Sequence, residues 1–340
     1  MRAALFDGPG TPLVVREVPR PVPGPGEALV RVAACGFCHT DLHYLDHGVP
    51  TAKPPPIILG HEISGTVEEL GAGTAGRAVG DRVLVPSVLP CGTCEMCRSG
   101  RANICPQLQM PGNHLDGGFA EFVRVPARDL VPLPADLDLA RSAVIADALT
   151  TPYHAVVHRA RVRSGDWVVV VGCGGVGINA VQFAAAAGAN VIAVDLRPEK
   201  RDAARRLGAC DALDPREHPD LGREVRKRTA GGADVALEVV GKPETVTLAL
   251  STLRRGGRLC VIGYSDSVVP IPLNRLMFFE YEIVGSLGCR PVDYPRVIEM
   301  VRQKKVSLDA VVSGTLPLER IGEAAEELRQ GRGFRTLIIP

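Results

Sequence analysis

The sequence predicts an α/β protein in two parts, a β-rich domain and a doubly wound parallel sheet, and three observations carry that expectation. Near residue 166 the texture changes: chain dense in proline, glycine and short β-branched runs gives way to unbroken apolar segments alternating with helical ones. The length of 340 residues with 46% hydrophobic content is enough for two cores rather than one. A glycine-rich turn, Gly172-Cys173-Gly174-Gly175-Val176-Gly177, stands where a predicted strand meets a predicted helix.

In the first 145 residues, short β-branched runs at 28–32 and 82–85 read as strands, and helix signals are scarce. The second part reads as strand 167–171, helix 178–187, strand 190–194, helix 198–207, strand 235–239, helix 243–253 and strand 257–262. Apolar strands without polar alternation belong to a parallel sheet covered on both faces. After residue 286 come two amphipathic helices, 294–303 and 321–329, and a last strand, 336–339, expected to return to the first domain.

Charge and cysteine usage narrow the function classes. Lysine and arginine total 39 against 38 acidic residues, so no basic field recruits nucleic acid and a small-molecule ligand fits better. The first seven residues lack the order of a secretory signal, and no apolar run approaches the roughly 18 residues that span a bilayer. A soluble, cytoplasmic protein without a membrane partner is the expectation. In that compartment ten cysteines point to metal rather than to disulfides.

The glycine turn is a candidate dinucleotide site. Its glycines let the backbone turn tightly against a pyrophosphate, whose charge is met by amides at the helix start. Asp195, at the end of the next predicted strand, is placed to accept both adenosine ribose hydroxyls and to repel a 2′-phosphate, which favours NAD over NADP. Arg197 and Lys200 just beyond are the residues that would welcome that phosphate.

Two further groups carry metal chemistry. Cys91, Cys94, Cys97 and Cys105 can wrap one tetrahedral zinc with no vacant position, a structural site, with an iron–sulfur cluster as the alternative. Cys38, in Cys-His-Thr-Asp, and His61, in Gly-His-Glu, supply a thiolate and an imidazole that leave room for a substrate oxygen on zinc. A redox pair of Cys35 with Cys38 is the rival reading.

Taken together, the Cys-His-Thr-Asp segment, Gly60-His61-Glu62 with Gly65 and Val67, Gly80-Asp81-Arg82-Val83, the four-cysteine lobe and the glycine turn resemble, in their order along the chain and over essentially its whole length, the zinc-dependent alcohol dehydrogenases of the medium-chain dehydrogenase/reductase family. The resemblance implies a GroES-like catalytic domain, 1–148 and 288–340, with a zinc lobe at about 88–108, split around a Rossmann domain, 149–287, and an active site in the cleft between them.

It also implies roles. Cys38 and His61 correspond to catalytic zinc ligands, and Glu62 to an adjacent carboxylate that approaches the metal as ligands exchange. Asp147 stands where many relatives have cysteine; a carboxylate is compatible with zinc and makes the ion more electrophilic, while a helix-capping role is the alternative. Thr40 and His43 correspond to a proton route from the substrate oxygen, through the nicotinamide ribose, to the surface; an exposed histidine without duty is the bland reading. His39, Thr151, Val176, Lys200 and Arg335 correspond to cofactor contacts, Arg335 at the pyrophosphate.

The activity implied is reversible oxidation of a primary, secondary or cyclic alcohol with NAD, using two zinc ions per subunit. Reduction of activated double bonds or quinones, dehydrogenation of a cyclic hydroxyacyl-CoA, and dinucleotide sensing without turnover are the alternatives. Tyr44, Leu45, Ser87 and Met110 are candidate pocket residues. Residues 258–287 resemble the edge through which relatives dimerise, and a homotetramer, or a dimer, is the expected assembly.

Overall fold

The computed structural model describes all 340 residues, which divide into two compact units, Met1–Thr150 with Gly288–Pro340, and Thr151–Leu287. The first unit opens with β1 (Arg2–Phe6), β2 (Val14–Glu17), β3 (Glu27–Phe37), α1 (His39–Asp46), β4 (Ile57–Ile58), β5 (Glu62–Leu70) and β6 (Arg82–Val85). A four-residue helix, α2 (Glu95–Arg98), lies in the cysteine lobe, followed by β7 (Phe122–Pro126) and β8 (Val131–Pro132). β1 sits between β2 and β4 in a small sheet of its own.

The strand β3 is the hub of this unit because it pairs antiparallel with both β5 and β7. Its run of small and β-branched residues, Ala28 to Phe37, is almost wholly buried. The helix that follows was not expected, since its sequence, HTDLHYLD, has little apolar periodicity. What starts it is local: Asp41 accepts the backbone N–H of Cys38 at 2.8 Å, satisfying a donor at the helix entrance.

The second unit begins in α3 (Thr150–His154) and runs through β9 (Trp167–Val171), α4 (Gly177–Ala186), β10 (Asn190–Val194), α5 (Pro198–Arg206), β11 (Ala209–Leu213), α6 (Leu221–Thr229), β12 (Ala233–Glu238), α7 (Pro243–Ser251), β13 (Leu253–Val261), α8 (Leu273–Phe278) and β14 (Glu282–Gly285). Its six strands are all parallel, in the order β11-β10-β9-β12-β13-β14. This is the doubly wound dinucleotide-binding order, whose switch point falls between β9 and β12. Asp211 interrupts the apolar run of β11, and four basic residues crowd α6, so neither element was legible from hydrophobic pattern.

The chain then re-enters the first unit as α9 (Tyr294–Arg302), β15 (Val312–Pro317), α10 (Ile321–Arg329) and β16 (Arg335–Ile339). β16 pairs antiparallel with β3, Thr336 facing Phe37, which completes a sheet ordered β15-β16-β3-β5-β6-β8 with β7 against β3. That register brings Arg335 level with Cys38, the residue that follows β3. No helix is long and apolar enough to cross a membrane.

Candidate active site and metal centres

Three turns of the first unit converge on one buried point. Cys38 follows β3, His61 precedes β5 and Glu62 opens it, and Asp147 follows the 3₁₀ segment Arg141–Ala146. Each residue offers one ligand atom, and these four atoms all lie within 4.8 Å of one another. The Asp147 carboxylate oxygen is 4.0 Å from Cys38 Sγ and 3.7 Å from His61 Nε2. A tetrahedral ion with bonds of about 2.0–2.3 Å has ligand–ligand edges of about 3.3–3.8 Å, so this donor set needs little adjustment to take zinc. The Asp147 side chain points at the other donors.

The electrostatics favour a cation here. Burial works against charge on His61, but Asp147 and then Cys38 outweigh it and hold the imidazole well above its usual range. Burial raises the Glu62 carboxyl, opposed by the Arg335 guanidinium. Arg335 Nε donates to both Glu62 oxygens at 3.0 Å, and Nη2 lies 2.8 Å from Oε1 and donates to Cys38 Sγ at 3.3 Å. Arg335, expected beside a pyrophosphate, thus spends two of its nitrogens on Glu62 and Cys38. Gly36 makes room for this pair, since a Cβ there would lie 2.1 Å from Glu62 Oε2.

Two supporting residues escaped the sequence reading. Asp41 is fully buried, holds the Cys38 amide, and stands close enough to His61 to influence its charge. Its position three residues after Cys38 was a usable signal, because a carboxylate there closes the first turn of a helix. Tyr294, also fully buried, donates from its hydroxyl to the carbonyl of Ala146 at 2.9 Å, fixing the residue before Asp147. Nothing local marks it, since it lies 148 positions away.

Thr40 and His43 lie on α1, three residues apart and hence on one face. Thr40 Oγ1 is 3.7 Å from Cys38 Sγ. His43 is half-buried, its pKa lowered by desolvation and then by His47, whose Nδ1 is 3.0 Å from its own. His39, at the start of α1, is held down to about 4, by desolvation first and by His43 next. Tyr44 and Leu45 face the core, the Tyr44 hydroxyl accepting from Asn113 Nδ2 at 2.7 Å; Ser87 is also buried, and Met110 packs on the same core.

Cys35 does not join Cys38. Both are free thiols, and the Cys35 sulfur packs against Gly60, where a Cβ would come within 2.7 Å of it. In the lobe, the other four sulfurs gather: Cys94 is 3.5 Å from Cys97 and 3.7 Å from Cys105, and Cys91 is 3.9 Å from Cys97. These are the edges of a zinc–thiolate tetrahedron, about 3.8 Å. Amides of Cys94 and Gln107 donate to Cys91 and Cys105, the arrangement that stabilises thiolates.

In the second unit, β9 is followed by Gly172, whose φ of +91° suits glycine, and α4 starts at Gly177, where a Cβ would lie 1.8 Å from the Gly172 carbonyl oxygen. Gly174, by contrast, faces open space, and a side chain there would fill the cradle above the helix N-terminus. The turn with Gly175 and Val176 therefore fits a pyrophosphate. Asp195, after β10, accepts from the amides of Cys173 at 2.8 Å and Arg197 at 2.9 Å, which fixes its carboxylate at the rim of the turn. Lys200 is buried on α5, its pKa lowered by desolvation against the pull of Asp195. Thr151 is buried on α3.

A parallel sheet in dinucleotide-binding order, a thiolate–imidazole–carboxylate quartet and a separate four-thiol lobe together define a metal-dependent, dinucleotide-linked oxidoreductase fold. Residues 24–135 match the alcohol dehydrogenase GroES-like domain, and residues 175–303 match the zinc-binding dehydrogenase domain. An alcohol dehydrogenase of Geobacillus stearothermophilus is 35% identical over 333 residues, spanning 98% of this chain and 97% of its own. The solved alcohol dehydrogenase of Thermus sp. ATN1 superposes with a TM-score of 0.93 at 32% identity, covering 100% of this chain and 99% of that one. A solved NAD-dependent alcohol dehydrogenase gives 0.92 at 32% identity, covering 100% of both. The chain belongs to the zinc-dependent alcohol dehydrogenases of the medium-chain dehydrogenase/reductase family.

Proposed function

We propose that the protein oxidises the hydroxyl carbon of a primary, secondary or cyclic alcohol to the aldehyde or ketone with NAD, and catalyses the reverse reduction, with one catalytic and one structural zinc per chain. The observation that carries this reading is the buried quartet of Cys38, His61, Glu62 and Asp147 with its ligand atoms within 4.8 Å of one another. When bound there, zinc supplies a Lewis acid that polarises an alcohol or carbonyl oxygen.

The chain's own residues do the rest. Cys38, His61 and Asp147 would hold the metal, with Glu62, gripped by Arg335, as the carboxylate beside it. The Thr40 hydroxyl, next to Cys38, accepts the substrate's proton and hands it outward. His43, whose pKa is lowered, is neutral at physiological pH and takes that proton at the surface. Asp195, near Lys200, would accept the ribose hydroxyls, and the turn from Gly172 through Gly174, Gly175, Val176 and Gly177 would hold the pyrophosphate. His39, Thr151 and Arg335 are the further candidates for cofactor contacts.

The test is NADH formation from a panel of primary, secondary and cyclic alcohols, with zinc counted in the same preparation. Turnover abolished by a chelator and restored by zinc supports the reading. Turnover unchanged by metal removal sinks it in favour of a double-bond reductase, and cofactor binding without turnover on any alcohol favours a sensor.

A homo-oligomer in the cytoplasm completes the proposal. All ten cysteines are free, which suits a reducing compartment. The last strand of the parallel sheet, β14, has an open edge, and Leu273, Met277, Phe278, Ile283 and Leu287 around it are exposed. An open edge beside an apolar patch is a self-pairing surface.

A further inference from the structure

The imidazoles of α1 form a row that the proposed chemistry uses only in part. His43 and His47 are one helical turn apart, their ring centroids 5.2 Å from each other and their Nδ1 atoms 3.0 Å apart. His39 continues the row at 5.3 Å from His43. Asp46, the one carboxylate beside them on the helix, is committed to Arg329 of α10 through two bonds of 2.7 and 2.8 Å. His47 is exposed, so the pair opens to solvent.

We propose that His43 and His47 form a third metal site, a two-imidazole clamp for a borderline divalent cation of the Ni²⁺ or Cu²⁺ type, distinct from the two zinc centres. Two nitrogens 3.0 Å apart, each bonded at about 2.0–2.1 Å, subtend about 90–97° at the ion. That angle is the cis angle of tetragonal N,O coordination, whereas a tetrahedral ion needs an edge of about 3.3 Å. As the rings stand, one Nδ1 donates to the other; the ion replaces that shared proton, both rings becoming Nε2–H tautomers with lone pairs facing the metal. Water fills the remaining positions on the exposed side.

A consequence follows that rests on the proton role proposed for His43. An ion on Nδ1 makes the ring a poor proton acceptor, so occupancy slows alcohol oxidation without touching the catalytic metal. The clamp is thereby an inhibitory site for this class of cation.

The experiment titrates Ni²⁺ into untagged, zinc-loaded protein at pH 7.5 by equilibrium dialysis, counting both metals, with the wild type and His47→Gln in parallel. The expected result is one equivalent of Ni²⁺ bound with zinc retained, and an affinity weaker by at least about 10-fold in His47→Gln, because the second ligand no longer acts at high effective concentration. Nickel uptake matched by zinc release, or identical in the two proteins, overturns the site. Inhibition by Ni²⁺ in the wild type and not in His47→Gln supports both the site and the proton role. Binding as expected with no inhibition leaves the site standing and removes His43 from the proton route.

Discussion

At Asp147 the chain places an oxygen where sulfur is the common donor in its family, and the structure turns that oxygen toward His61 and Cys38. A carboxylate oxygen donates less electron density to a metal than a thiolate does, so the ion held there would be harder and more electrophilic. Replacing Asp147 by alanine is expected to lower metal content from two zincs to one per chain and to cut turnover at least about 100-fold, read by metal analysis and NADH formation. Full zinc content with full activity would remove Asp147 from the site. The Cys38, His61 and Glu62 positions were readable as motifs because each sits within a short run of sequence. The grip of Arg335 on Glu62 and Cys38 was not, because it depends on the register of β16 against β3.

His43 offers a second test at this scale. Its pKa is lowered, by desolvation and by His47, so the ring is neutral above that value and protonated below it. As a proton acceptor it serves oxidation only when neutral, so kcat for alcohol oxidation is expected to fall along an acid limb that lies below the ordinary imidazole range. His43→Gln should lose about 10-fold in rate at neutral pH, lose that limb, and recover with imidazole buffer. A pH profile identical in the two enzymes gives the bland reading.

Among the elements, α1 shows how a site can be built on a helix that hydrophobic pattern does not announce. Its start is set by the Cys38–Asp41 bond, and its length by packing that buries Leu42, Tyr44 and Leu45. The 3₁₀ segment before Asp147 is held from the far end of the sequence by Tyr294 of α9. Tyr294→Phe removes that hydroxyl and is expected to cost about 1 kcal/mol, a drop of about 2–4 °C in Tm. Zinc affinity at the catalytic site should fall with it, by about 10-fold, and chelator competition reads this. A Tm shift with unchanged zinc affinity makes Tyr294 a packing residue only.

The cysteine lobe behaves as an element of its own. Its one α-helix, α2, is four residues long and has no buried residue. Cys97→Ser is expected to remove one zinc, leave the catalytic one, and lower Tm by about 10 °C or more, because metal binding supplies the lobe's folding energy. Calorimetry with metal analysis checks this, and an unchanged Tm would assign the four thiols no structural ion.

On the scale of the whole molecule, the open edge of β14 carries the proposed assembly. Ile283→Asp places a charge on that edge and is expected to shift sedimentation to the monomer. A wild-type monomer, or an oligomer indifferent to the charge, shows that chains do not join there.

What the sequence by itself determined is everything that short-range pattern can express. It marked the parallel sheet through its unbroken apolar strands, the turn from Gly172 to Gly177 with Asp195, and the two donor sets through cysteine spacing and the Gly-His-Glu run. Only the tertiary structure decided that Cys38, His61, Glu62 and Asp147 meet within 4.8 Å, that Arg335 and Tyr294 brace them from the C-terminal return, and that His43 faces His47. The reason is physical. Periodicity and capping are set by neighbours a few residues away, whereas the meeting of residues more than a hundred positions apart is settled by strand register and core packing, to which every part of the chain contributes.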